Sequence, residues 1–208
     1  DGLGSSDEIS GFEKVYGSSH NDSISGSANS ETTKELYRGL AGNDTINGVS
    51  GFDEVDYSGD SAAGGTAGIT ANFSTGTVVD GFGNTDTITN IDAIQGTNSA
   101  DVMTGGSNFV RFSGLGGNDT FTGSSTDDEI SYAHDASNGG SAGVTVNLAT
   151  GTATDGFGNT DTFSSIEMVR GTNSVDVMTG GGNDSFERFR GLGGADTFIG
   201  TTAGFQSI

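Results

Sequence analysis

The stretch that decides the fold reads Gly114-Leu115-Gly116-Gly117-Asn118-Asp119-Thr120-Phe121-Thr122. Glycines fill the first, third and fourth places, where we expect positive φ angles that turn the carbonyl oxygens inward. The sixth place is an aspartate. The eighth place, Phe121, should point into the interior, because side chains alternate between the two faces of a strand. The frame thus combines a tight turn, a short acidic side chain and one core residue.

This frame recurs along the chain. Eleven aspartates have a glycine five positions earlier and an apolar residue two positions later, without exception. A turn and a short strand repeated in this way predict an all-β solenoid, in which each coil stacks on the next. The aspartates are Asp7, Asp22, Asp44, Asp53, Asp86, Asp101, Asp119, Asp128, Asp161, Asp176 and Asp196.

The chemistry of the frame favours a hard cation bound by oxygen. Calcium takes about six to eight oxygens at roughly 2.3–2.6 Å, more than one short turn supplies, so two stacked turns would share each ion. Magnesium fits less well because it prefers fewer, closer ligands and keeps its waters. The aspartates would supply carboxylates. Turn residues would supply further ligands, and those predicted are Gly39, Ala41, Gly48, Gly114, Gly116, Gly123, Gly191 and Gly193.

The composition of the chain also indicates a divalent cation as its partner. The chain has 28 acidic and 7 basic residues, a formal charge of -21, which excludes nucleic acid and anionic membrane surfaces as partners. Leu, Ile, Val and Phe number 42 of 208 residues, close to the level at which a strongly charged chain stays disordered. Divalent ions bound only by the folded state would both neutralise and stabilise it.

Other residue counts narrow the class of protein further. The absence of Cys removes disulfides and thiolate metal sites and fits an exported protein, and two His are too few for a zinc framework. No apolar run reaches the length of a transmembrane helix, so we expect no membrane insertion. Secretion or display at the cell surface is therefore the predicted location.

A longer repeat overlies the short frame. The segment 80–90 returns as 155–165, and 1–10 is a diverged copy, with spacings of 79 and 75 residues. We therefore divide the chain into a diverged first repeat (1–79), a second (80–154) and an incomplete third (155–208), forming one continuous solenoid. The chain begins and ends inside a repeat, which predicts a larger parent chain.

Two kinds of segment interrupt the frames. Segments 69–80 and 144–155 alternate apolar and polar residues on both sides of a Thr-Gly turn, which predicts inserted β-hairpins. Segments 26–38, 105–113 and 180–190 differ in length between copies, and we expect them to loop out of the coil. The aromatic residue in each, Tyr37, Phe112 or Phe189, is predicted to be core.

With these motifs, the chain resembles the RTX, or haemolysin-type calcium-binding, repeat family of secreted bacterial proteins, whose pattern is Gly-Gly-x-Gly-x-Asp-x-apolar-x. The resemblance implies a right-handed parallel β-roll with calcium bound between successive turns by the sixth-place Asp and turn carbonyls. It also implies type I secretion as an unfolded chain that folds on meeting external calcium. The fourth place is glycine only at Gly42, Gly51, Gly117 and Gly194. In the diverged copies, an alternative stays open: the aspartate serves only as a turn residue that bonds its own backbone.

The predicted function is a calcium-binding structural module without enzymatic activity, because no cluster of Asp, His, Lys and Arg breaks the repeat in the way an acid–base site would. One alternative is an adhesin or surface-layer segment that recognises a glycan or a neighbouring subunit. Another is an accessory module of a secreted polysaccharide-active enzyme. We expect His20 and His134 to be solvated surface residues.

Overall fold

The computed structural model describes residues 12–28, 34–182 and 186–200, and the backbone of residues 206–207. This part of the chain forms short β-strands almost throughout. In chain order they are β1 (Lys14–Tyr16), β2 (Ser23–Ser25), β3 (Lys34–Arg38), β4 (Thr45–Asn47), β5 (Phe52–Asp56), β6 (Thr70–Asn72), β7 (Thr77–Val79), β8 (Thr85–Thr89), β9 (Ala93–Gln95), β10 (Val102–Thr104), β11 (Arg111–Ser113), β12 (Thr120–Thr122), β13 (Glu129–Ser131), β14 (Thr145–Asn147), β15 (Thr152–Thr154), β16 (Thr160–Ser164), β17 (Met168–Arg170), β18 (Val177–Thr179), β19 (Glu187–Arg190), β20 (Thr197–Ile199) and β21 (Gln206–Ser207).

The strands build two sheets from successive coils. The first sheet has the order β1-β3-β5-β9-β11-β13-β17-β19-β21, and the second has the order β2-β4-β8-β7-β6-β10-β12-β16-β15-β14-β18-β20. Strands from successive coils pair in parallel, as β10 with β12 and β11 with β13. The chain therefore alternates between the sheets, and the predicted all-β solenoid architecture with parallel sheets is confirmed.

Each predicted hairpin is present and belongs to the second sheet. Strands β6 and β7 pair antiparallel, as do β14 and β15. The second strand of each hairpin continues antiparallel to β8 or β16. The hairpins therefore do not project from the solenoid: each widens the second sheet by two strands between one coil and the next.

The expectation that segments 26–38, 105–113 and 180–190 loop out of the coil is wrong for their second halves. Strands β3, β11 and β19 lie in these segments and pair in the first sheet. The cause is the aromatic residue in each strand, which is buried as predicted: Tyr37 is 1% exposed, Phe112 0% and Phe189 3%. Residues 29–33 and 183–185 lie outside the described part of the chain.

The core lies between the two sheets and is formed by the eighth-place residues of the frames. Phe121, for example, is 1% exposed and stacks on Phe112 of the facing sheet with ring centroids 5.9 Å apart. Full burial of such a side chain contributes about 1.5–3 kcal/mol. The other buried eighth-place residues are Ile24, Ile46, Val55, Ile88, Met103, Ile130, Phe163 and Met178, and Phe198 is partly buried.

Two short helical turns precede the hairpins. Helix α1 (Asp60–Ala63) stands before β6, and a 3-10 turn (Ala136–Asn138) stands before β14. Neither has a sequence signal of helical periodicity, because each is only one turn long. Within the described ranges, no helix is long and apolar enough to cross a membrane.

Candidate metal-binding turns

The framed aspartates fall into two columns along the solenoid. Asp53 and Asp128 lie at the start of strands of the first sheet, β5 and β13, and the others described lie at the start of strands of the second sheet. The coil from Asp101 to Asp119 has 18 residues. Two frames that are nine residues apart in sequence are therefore separated by half a coil and lie on opposite sheets. Asp7 is outside the described residues. The second-sheet column contains Asp22, Asp44, Asp86, Asp101, Asp119, Asp161, Asp176 and Asp196.

Hydrogen bonds join the second-sheet column into a ladder. The N–H of Asp101 donates to Oδ1 of Asp119 over 2.9 Å, and the N–H of Asp119 donates to Oδ1 of Asp161 over 3.0 Å. Where a hairpin interrupts the column, Ile69 or Val144 takes the donor's place. One oxygen of each carboxylate is therefore committed to the coil next to it. The same bond joins Asp22 to Asp44, Asp44 to Asp86 and Asp176 to Asp196.

The first-place glycine is required by the aspartate side chain. A Cβ built on Gly114 would lie 2.0 Å from Oδ2 of Asp119, and one built on Gly39 would lie 2.0 Å from Oδ2 of Asp44. The carboxylate therefore folds back over its own turn into the space that a side chain would need. This steric reason, and not a positive φ, explains why the frame begins with glycine, so the expected positive φ at the first place is wrong.

Positive φ occurs instead at the second and fourth places of four turns. Leu115 has φ 69° and Gly117 has φ 124°, whereas Gly116 at the third place is not in the left-handed region. The other pairs are Leu40 (67°) with Gly42 (129°), Val49 (70°) with Gly51 (116°), and Leu192 (70°) with Gly194 (114°). We call these four the open turns: 39–44, 48–53, 114–119 and 191–196.

Four other turns have Ser or Thr at the second place, and we call them the closed turns: 17–22, 96–101, 123–128 and 171–176. In the turn 96–101, Thr97 donates its N–H to Oδ2 of Asp101 over 2.8 Å and its hydroxyl to Oδ1 over 3.0 Å. Thr172 bonds Asp176 in the same way. Ser18 and Ser124 donate both the N–H and the hydroxyl to Oδ2 of Asp22 and Asp128, and Oδ1 accepts from the Ser18 hydroxyl and from the Val110 N–H, respectively. The protein itself satisfies both carboxylate oxygens in a closed turn.

In the open turns, the second oxygen lacks such a donor. Oδ2 of Asp44, of Asp53 and of Asp119 is buried without a hydrogen-bond partner, and each side chain is 1% exposed. The left-handed residue at the second place has rotated the peptide, so its N–H does not reach the carboxylate. An unsatisfied buried polar atom costs about 1–3 kcal/mol, and more when it carries charge. A bound cation would remove that cost.

The pKa values follow the same division. Burial, together with the charges of Asp101 and Asp161, raises the pKa of Asp119 to about 9. Burial also raises the pKa of Asp101, but only to about 6, because the donors on Ile69 and Thr97 stabilise its charged form. The open-turn carboxylate therefore has the greater need of a neighbouring positive charge.

The remaining two turns, 81–86 and 156–161, adjoin the hairpins. Oδ2 of Asp86 accepts a bond from the Tyr57 hydroxyl over 2.9 Å, and Oδ2 of Asp161 accepts one from Tyr132 over 3.0 Å. Both tyrosines are 1% exposed. These framed aspartates, like those of the closed turns, have partners on both oxygens, since their Oδ1 atoms complete the ladder.

Several acidic residues at the columns have no place in the frame. Asp92 and Glu167 continue the first-sheet column, where they accept bonds from the N–H groups of Asp53 (3.0 Å) and Asp128 (3.1 Å). The signal that could have found them is the repeated Ile-acid pair that precedes β9 and β17. Four more, Asp60, Asp80, Asp135 and Asp155, are buried beside the hairpins.

The open turns could hold calcium if backbone carbonyl oxygens, and not side chains alone, supply most of the ligands. Among the residues that the structure describes, no three Asp, Glu or His side chains already converge as metal ligands. A shared-turn site does not need them, because calcium accepts carbonyl oxygens and water beside a single carboxylate. Two of the predicted carbonyls lie at the junction between coils: Gly39 O would be 2.7 Å from a Cβ on Gly17, and Gly48 O 2.6 Å from one on Gly26.

His134 is not a solvated surface residue, so that expectation is wrong. It is half-buried, its Nδ1 bonds Oε1 of Gln95, and burial lowers its pKa. His20 is exposed, as predicted.

Searches against models of known protein families and against curated proteins found no match to this chain.

Proposed function

We propose that the chain is a calcium-binding structural module, a right-handed β-roll of the RTX type, that folds when it meets calcium outside the cell. Its role in this proposal is mechanical and not catalytic. Type I secretion belongs to the same proposal, since it rests on the resemblance of the frame to the RTX pattern.

One observation carries the calcium assignment: the unpaired Oδ2 atoms of Asp44, Asp53 and Asp119. Among the framed turns that the structure describes, they occur only where glycine fills the fourth place and the sequence matches the calcium-binding pattern most closely. Turns that depart from the pattern supply their own donors, as Thr97 does for Asp101. Among the framed aspartates that are fully buried, departure from the pattern and loss of the unpaired oxygen therefore coincide, as expected if the oxygen is kept for a cation. Asp196, in the fourth open turn, is only half-buried.

Within each open turn, the chain's own residues would have separate tasks. The aspartate would supply the charge, as Asp119 does in the turn 114–119. Its Oδ1 is held by the N–H of the preceding coil, which fixes the direction of Oδ2. Leu115, which is 1% exposed, keeps water away from one side of the turn. In the fourth open turn, Asp196 would likewise supply the charge, but its second-place residue, Leu192, is 47% exposed and does not exclude water.

Charge couples the ions to folding. The chain has a formal charge of -21, and the second-sheet column stacks carboxylates in neighbouring coils. Without cations, the compact state would hold these charges close together in a medium that screens them poorly. Because only the folded state would bind calcium, the ions would shift the equilibrium towards the folded state by mass action.

Circular dichroism on the full chain tests this proposal. The metal-free chain, prepared by chelation and dialysis, should have a weaker β-sheet signal and a lower melting temperature than the same chain in millimolar calcium. Magnesium at the same concentration is the matched control and should restore far less. A β-rich spectrum and a melting temperature that are the same with chelator and with calcium would refute the proposal.

A further inference from the structure

We infer that the chain has a second kind of divalent-cation site, formed by the carboxylate pairs Asp60–Asp80 and Asp135–Asp155 where each hairpin rejoins the solenoid. This inference deepens the proposed function, on which it rests in part, because the same cation would fill both kinds of site. The four aspartates lie outside the nine-residue frame, and none of them is an open-turn ligand.

The first pair is held together by a backbone bond. The N–H of Gly81, the residue that follows Asp80, donates to Oδ2 of Asp60 over 3.0 Å. Oδ1 of Asp80 accepts the N–H groups of Phe82 (2.9 Å) and Asn84 (2.7 Å). One oxygen of each carboxylate is thus fixed by the backbone, and the Asp60 side chain lies against Gly81, the residue next to Asp80.

The other oxygen of each carboxylate is unsatisfied. Oδ1 of Asp60 and Oδ2 of Asp80 have no hydrogen-bond partner, and both residues are buried, with 1% of their surface exposed. The two carboxylates carry a combined formal charge of about -2 when both are ionised. A single divalent ion matches that charge, and a buried carboxylate is stable only when it is paired or coordinates a metal.

The second hairpin repeats the arrangement atom for atom. Gly156 N–H donates to Oδ2 of Asp135 over 2.9 Å, and Oδ1 of Asp155 accepts Phe157 N–H (3.0 Å) and Asn159 N–H (2.6 Å). Oδ1 of Asp135 and Oδ2 of Asp155 are again the buried, unpaired atoms. Two independent copies leave the same two oxygens free, so the free oxygens are a property of the motif.

The electrostatics of the pairs agree with this geometry. Burial, above all, together with the charge of Asp80, raises the pKa of Asp60 to about 7. Burial, above all, together with the charge of Asp155, likewise raises the pKa of Asp135 to about 7. The carboxylates of each pair therefore repel one another when ionised, and a cation between them would convert that repulsion into attraction.

An ion at this position would fasten the hairpin to the coil. Asp60 begins helix α1, before the hairpin, and Asp80 follows the hairpin's second strand. The pair therefore closes the segment 60–80 at its base, and Asp135 with Asp155 closes the segment 135–155. The open turns, in contrast, would join one coil to the next.

Terbium, which replaces calcium at oxygen sites, tests the location directly in the wild-type chain. Crystals grown with terbium should show anomalous density beside Oδ1 of Asp60 and Oδ2 of Asp80, and at the equivalent atoms of the second pair. Density beside Asp119 with none at either pair would overturn this inference and leave the proposed function standing. Crystals without density at any aspartate would overturn both.

Ion counting on variants gives a second, independent readout. Asp60→Asn with Asp80→Asn should bind one calcium fewer per chain, and adding Asp135→Asn with Asp155→Asn should remove two in total. The control is Asp127→Asn, an exposed aspartate, which should leave the count unchanged. An unchanged count in the fourfold variant, while Asp119→Asn loses an ion, would again overturn this inference alone.

These variants should fold, because each one removes a charge that is buried without a partner. In chelator, their melting temperatures should equal or exceed that of the wild type. If the fourfold variant fails to fold, the terbium crystals of the wild-type chain decide the question by themselves.

Discussion

Asp101 and Asp119 stand one coil apart and are joined by a 2.9 Å bond from the N–H of Asp101 to Oδ1 of Asp119. Their second oxygens differ. Oδ2 of Asp101 is bonded by Thr97, and Oδ2 of Asp119 is buried without a partner. The two residues therefore occupy the same place in successive coils but differ in the hydrogen bonding of Oδ2. Substituting each of them in turn tests the effect of that difference alone.

We predict that Asp119→Asn removes one bound calcium ion and Asp101→Asn removes none. The amide introduced at position 119 can keep the bond from the Asp101 N–H through its oxygen, so this variant should lose stability only in calcium. At position 101, an amide NH₂ would face donors from Thr97, which costs about 1–3 kcal/mol with or without calcium. Isothermal titration gives the ion count, and melting curves in calcium and in chelator give the stabilities.

The opposite pattern would contradict the division into open and closed turns. If both variants lost one ion, the closed turns would also bind calcium, and the bonds from Thr97 would have to break on binding. If neither lost an ion, the open-turn oxygens would not be ligands.

The packing between coils predicts a large difference between two glycines. A Cβ on Gly123 would lie 1.7 Å from the carbonyl oxygen of Ser165, whereas one on Gly105 would find its nearest neighbour at 3.4 Å. Gly123→Ala should therefore force neighbouring coils apart and cost about 3 kcal/mol, at the upper end for overpacking. Gly105→Ala should change stability by less than about 0.5 kcal/mol, the usual size for a substitution without a clash.

Urea unfolding in saturating calcium measures both variants under conditions where the wild type is folded. Equal midpoints for the two variants would show that the coils can separate without cost. That result would contradict the close approach of the turns at Gly123.

The sequence predicted the architecture well because the fold is repetitive. One inward residue per frame and one turn per strand suffice to predict stacked parallel coils, and the burial of Phe121 and Met103 follows from alternation alone. The hairpins were also predictable, since alternation around Thr-Gly is a local pattern. The incorporation of β3, β11 and β19 was missed because these strands lie in segments that differ in length between the copies and carry no Gly–Asp frame.

The site was less predictable because its chemistry depends on which atoms lack partners. The frame identifies Asp101 and Asp119 equally, and the difference arises from the donors on Thr97. The signal in the sequence is the second-place residue, Thr97 in one turn and Leu115 in the other, but its effect on the carboxylate is visible only in the structure. Asp80 and Asp155 stand in the quoted repeat 80–90 and 155–165, so their recurrence was visible. Their pairing with Asp60 and Asp135 was not, because those residues lie 20 positions away on the far side of a hairpin.

The left-handed residues of the open turns predict a stabilising substitution. Val49 has φ 70°, a conformation that costs an L-residue about 1–2 kcal/mol and is especially unfavourable for a β-branched side chain. Its side chain is 38% exposed, so little burial is lost on replacement. We predict that Val49→Asn, which tolerates this conformation, stabilises the chain by about 1 kcal/mol.

Val79 provides the control, because it is equally exposed at 40% but lies in strand β7, where φ is ordinary. Val79→Asn should lower stability, since Asn is a poor strand residue. The measurement is the melting temperature of Val49→Asn and of Val79→Asn in calcium, each relative to the wild type. A fall of similar size in both variants would show that Val49 is not strained.

The buried carboxylates predict an inverted pH dependence for the metal-free chain. Burial, above all, raises the pKa of Asp44, Asp53 and Asp161 to about 7, from the ordinary value of 3.8 that holds in the unfolded chain. The folded state therefore binds protons more tightly than the unfolded state between these values. Its stabilisation is complete below about pH 4 and is lost as the pH rises through about 7.

We expect the urea midpoint of the metal-free chain to be higher at about pH 5 than at about pH 8, and calcium to remove most of that difference, because the ion stabilises the charged carboxylates. Asp119, with its pKa raised to about 9, should extend the loss of stability to still higher pH. In Asp119→Asn that extension should disappear while the loss around neutral pH remains. A metal-free chain that gains stability as the pH rises through this range would mean that these carboxylates are already paired, and the case for cations at the open turns would fail with them.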